Sequence, residues 1–131
     1  MIGSNTSECT TVNALGEEFP LAYNLNVAAR LQETFGSQQA WIEKIYPKNG
    51  EPDLNALIET CKEFVNEGID IENDTADKKR AFISKKLAGR ILTEVGTEAF
   101  IVAMVESQSD SSKETEQDDE DIEDNSTPSN D

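Results

Sequence analysis

Residues 53–77 read DLNALIETCKEFVNEGIDIENDTAD, and their first half decides the fold class. Leu54, Leu57, Ile58, Cys61, Phe64 and Val65 recur at spacings of three and four. That is the pattern of a helix with one apolar face. Asp53 stands where an N-cap belongs. Gly68 stands where a helix commonly ends. Ile69 to Asp77 is polar and turn-rich, which predicts a loop.

The same reading extends in both directions. Upstream, Asn24 or Asn26 caps a first helix with Val27, Ala28, Leu31 and Phe35 on one face and Gly36 at its end. Ser37 caps a second, QQAWIEKIY, with Trp41, Ile42, Ile45 and Tyr46 on its apolar side; Pro47 stops it and opens a loop to Pro52. Before these, Cys9 to Val12 is rich in β-branched residues, Gly16-Glu17-Glu18 reads as a turn, and Phe19, Leu21 and Tyr23 alternate with period two. Pro20 restricts that second strand to an edge. Downstream, Ser84 starts a fourth helix, with Leu87, Ala88, Ile91, Leu92 and Val95 inward. Gly96 ends it and Thr97 caps a fifth.

The predicted fold is mainly α, with about five short helices of two to four turns preceded by a small N-terminal β-hairpin. The domain is expected over residues 1–106. Residues 107–131 hold ten acidic residues, one lysine and one large apolar residue, Ile122. Such a segment buries too little surface to offset its ordering entropy, so a disordered acidic tail is predicted there.

Charge and residue types narrow the function. The chain carries a net charge of −16, shared between the tail at −9 and the body at −7. A phosphate backbone or an anionic membrane would be repelled, so neither nucleic acid nor membrane is expected as a partner. There is no histidine, and Cys9 and Cys61 stand in separate segments. Histidine-based catalysis and zinc sites therefore have no support, and the glycines punctuate helices rather than forming a phosphate loop. Asp70, Glu72 and Asp74 alternate like the start of a calcium loop, but Thr75 and Ala81 fall where that loop needs Gly and Glu. No enzyme activity and no cofactor are expected. The start, MIGSNTSECTTVNALG, lacks the charged and apolar regions of a secretory signal. A cytoplasmic protein with reduced thiols is expected.

Two features point to binding. Ala99 to Val105 carries no polar side chain. Either that fifth helix is a central core element, or part of it meets a partner. The candidate partner-binding residues are Phe100, Ile101, Met104 and Val105, with Trp41 and Tyr46 as aromatic anchors; the alternative for the two aromatics is ordinary core packing. Lys78, Lys79, Arg80, Lys85, Lys86 and Arg90 are six of the ten basic residues in the body. They form either a solvated face or a docking strip for an acidic segment, the chain's own tail included.

The stretches EEFPLAYNLNVAARLQETFGS, DLNALIETCKEFVNEGIDIEN and ISKKLAGRILTEVG, with the acidic end, resemble the small tail assembly chaperones of long-tailed bacteriophages and prophages. The likeness covers residues 16–106. It implies a helical protein of the host cytoplasm, absent from the finished virion. Such a protein binds the tape measure protein, promotes tail tube assembly around it and self-associates. A frameshifted longer form is a further implication. Two other functions compete. One is a small acidic inhibitor that mimics DNA; the other is a structural tail-completion protein.

Overall fold

The computed structural model describes residues 10–109. Two antiparallel strands, β1 (Thr10–Ala14) and β2 (Glu17–Leu21), are followed by α1 (Leu25–Phe35), α2 (Gln38–Ile45), α3 (Leu54–Thr75) and α4 (Lys85–Val95). A fifth helix, α5, covers residues 97–109. The mainly helical class and the leading hairpin are as the sequence predicts. Cys9 and residues 110–131, most of the expected tail, lie outside the described residues.

The hairpin turn is Leu15-Gly16, one step earlier than the predicted Gly16-Glu17-Glu18. Both turn residues have positive φ, 55° at Leu15 and 75° at Gly16. A two-residue hairpin turn whose twist matches its strands favours that geometry. Glu17 and Glu18 therefore belong to β2, opposite Ala14 and Asn13.

α3 departs most from expectation. It does not end at Gly68 but runs for 22 residues, about six turns, and Ile69 is fully buried. Asp70, Glu72 and Asp74 are thus helical rather than in a loop. Gly68 is there for contact. A Cβ at that position would stand 2.7 Å from the Pro20 carbonyl oxygen. The chain leaving β2 crosses α3 here, and the Ala22 N–H donates to the Phe64 carbonyl at 3.1 Å. Glycine lets the strand lie directly on the helix, which outweighs its helix-breaking preference.

α3 is the hub, packed against β2, α4, α1 and α2. Its inward face contributes Leu57, Cys61, Phe64, Val65 and Ile69 to the core, with Leu21, Leu31, Trp41, Ile45 and Ile91 around it. Leu54, expected on that face, is exposed at the first turn instead. Burial pushes the Cys61 thiol up to about 12, so it stays protonated and inert.

Polar groups fix how the helices meet. The Trp41 indole N–H donates to Thr60 Oγ1 at 2.9 Å, and the Thr60 hydroxyl donates to the Ala56 carbonyl at 2.7 Å. Asn24 caps α1 by accepting from the Val27 N–H, and its Nδ2 donates to Glu67 at 2.8 Å. Arg30 bridges Glu63 at 2.6 Å and Glu67 at 2.9 Å. Burial alone would raise the Glu67 carboxyl. Hydrogen bonds from Asn24, Arg30 and Asn26, with the Arg30 charge, outweigh that and hold it below the ordinary carboxylate value.

Two asparagines on α3 secure the returning chain. Asn66 donates to the Ile83 carbonyl and accepts from the Ile83 N–H. Asn73 makes the same pair of bonds with Arg80. Seven residues apart, they share one helical face and hold segment 80–83 against it. Gly96 then joins α4 to α5. Its N–H donates to the Leu92 carbonyl, and its own carbonyl accepts from the Phe100 N–H. Gly96 rather than Thr97 therefore starts the last helix. α5 extends through residue 109 with Ser107 buried, so the folded body passes the predicted limit at residue 106.

Candidate partner-binding surface

The six residues expected to meet a partner separate into three groups. Phe100 and Met104 are fully enclosed in the core, and Ile101 packs against it half-buried. Trp41 is also in the core, its indole nitrogen bonded to Thr60. Phe100, Met104 and Trp41 serve the fold and are not available as surface; Ile101 offers only part of its side chain. Val105 remains exposed on α5, one turn from the more exposed Val102. Tyr46 remains exposed at the C-cap of α2.

Tyr46 has company. Ile42 lies four residues earlier on the same face of α2, 44% exposed against 40% for Tyr46. α2 turns Trp41 and Ile45 into the core and so must turn Ile42 and Tyr46 out. Beside them opens a groove of about 830 Å³, lined by Ile42, Tyr46 and Pro47 with Gln38, Gln39 and Lys48. Glu43 and Asn49 complete the lining, so apolar side chains stand among amides and charges. Such a surface can take the apolar ridge of a helix. The exposed Leu25 and Leu54 were not legible as surface. Each begins its helix, where a face has no preceding turn to cover it.

The basic strip is partly consumed by the fold. Arg80 donates to the Glu18 carbonyl at 2.9 Å, pairs with Glu17 at 2.8 Å and stacks over the Phe19 ring at 4.7 Å. It ties the long loop to the hairpin. The Lys79 ammonium donates to the carbonyls of Asn73 and Ala76, closing the C-terminus of α3. Lys85 lies 4.0 Å from Glu59. Among the described residues, Lys78, Lys86 and Arg90 make no ion pair and are exposed.

Among the described residues no three carboxylate or thiol groups converge as a metal site, and no helix is long and apolar enough to cross a membrane. Comparison with family models, curated proteins and solved structures returns no match.

Proposed function

We propose that this chain is an assembly chaperone for the tails of long-tailed phages, acting in the host cytoplasm without chemistry of its own. It holds helical segments of the tape measure protein while tube subunits assemble around them. The observation that carries this reading is the Ile42–Tyr46 pair exposed over the α2 groove. A rod-like helical client offers apolar ridges of matching spacing. The resemblance of residues 16–106 to such chaperones supplies the identity of the client. The DNA-mimic reading fits less well, because the body presents a run of cations at residues 78–90 rather than an array of carboxylates.

The test is co-expression of tape measure fragments with the chain. Wild type is expected to keep the fragments soluble. Ile42→Ser/Tyr46→Ser should lose that effect while remaining folded. Fragments that precipitate equally with and without wild type would remove this reading.

A further inference from the structure

Residues 78–90, KKRAFISKKLAGR, hold six cations and no acid. Three of them, Lys78, Lys86 and Arg90, have no ionic partner among the described residues, although the body as a whole is acidic. Lys86 and Arg90 are one turn apart on α4 and face the same way. Between them and Lys78 lies Phe82, 58% exposed, while its neighbour Ile83 is buried and pinned by Asn66. The segment therefore offers three unpaired cations, with one exposed apolar residue between them in sequence.

The tail has the complementary composition. Asp118 to Asp124 reads DDEDIED, six acids with one large apolar residue, Ile122. We propose that the strip from Lys78 to Arg90 is the docking surface for this segment of the same chain, with Ile122 seated on Phe82. Eight residues, 110–117, separate the described end of α5 from Asp118. They reach up to ~30 Å when extended, more than twice the ~13 Å radius of gyration of a domain this size. The tether also holds the segment near the strip at roughly millimolar effective concentration, so a contact weak in each ion pair is populated. Salt weakens it, because Lys78, Lys86 and Arg90 are exposed. The inference is independent of the tape measure reading.

The test uses the full chain, ¹⁵N-labelled, with a nitroxide on Ser126→Cys in a Cys9→Ser background. The enclosed Cys61 does not react. Diluting with unlabelled chain isolates the intramolecular effect. At ~20 mM salt the amides of residues 78–90 should lose at least about twofold more intensity than those of α2, and recover at ~500 mM. Lys78→Glu/Lys86→Glu/Arg90→Glu should abolish the difference, and Phe82→Ala should reduce it. These sites are exposed, so the fold should persist, as circular dichroism would check. Broadening no greater over 78–90 than over α2, or indifferent to the triple substitution, overturns the proposal. So does a strip whose amides shift with an added single-stranded oligonucleotide but never broaden from the tail label.

Discussion

α2 and α5 both carry enough apolar side chains in sequence to suggest a partner, and the fold uses them in opposite ways. α5 directs its largest residues, Phe100 and Met104, into the core and leaves only Val102 and Val105 outside. α2 directs Trp41 and Ile45 inward, yet keeps an isoleucine and a tyrosine outside beside a groove. The apolar content of a helix therefore measures how much cover it needs. Which residues remain for a partner is set by the neighbours that supply the cover. On α2, an aromatic at the edge of a groove gives a partner an anchor.

The contrast is easiest to break in α5. Phe100→Ala should destabilise the domain by about 3–5 kcal/mol, read from urea unfolding midpoints. A loss below about 1 kcal/mol, the size of a typical surface effect, would return α5 to the surface. Gly68→Ala should cost about 2–3 kcal/mol by forcing β2 off α3, and would also shift the amide resonances of residues 19–22. Glu67→Ala should cost about 2 kcal/mol at neutral pH, because Arg30 and Asn24 lose a charged acceptor. Its pH dependence has a definite sign. The Glu67 carboxyl is depressed in the folded state, so its contribution is complete above the ordinary value of 4.5 and is lost as pH falls through the lower folded value. Wild type and variant should therefore converge in stability as pH falls below 4.5 and through the depressed folded value. Leu15→Gly should stabilise by about 0.5–1 kcal/mol, since leucine occupies a left-handed position there. Smallest of all, Ile42→Ser/Tyr46→Ser should move stability by about 0.5 kcal/mol or less, while removing client binding.

The class of the fold was legible because caps and periodicity agreed. Asn24, Ser37, Asp53 and Ser84 each accept from a backbone N–H of the first turn that follows, as their positions predict. The length of α3 was not legible. Glycine near the end of an apolar stripe ordinarily signals a stop, and only the crossing at Pro20 shows why this one does not. The Asn66 and Asn73 braces were equally hidden, because their partners lie in a loop with no pattern of its own. At the candidate surface, the sequence places Ile42 and Tyr46 together on the apolar side of α2 and names only Tyr46 as an anchor; the structure leaves both exposed. Both sit on the stripe's margin, where periodicity alone does not decide burial.

Amide shift mapping with a synthetic amphipathic helix from the tape measure protein tests the central claim most directly. On titration, the largest changes should fall on residues 38–49 and vanish in Ile42→Ser/Tyr46→Ser with the remaining spectrum intact. Undiminished binding by that variant, or changes centred on Val102 and Val105, would contradict it.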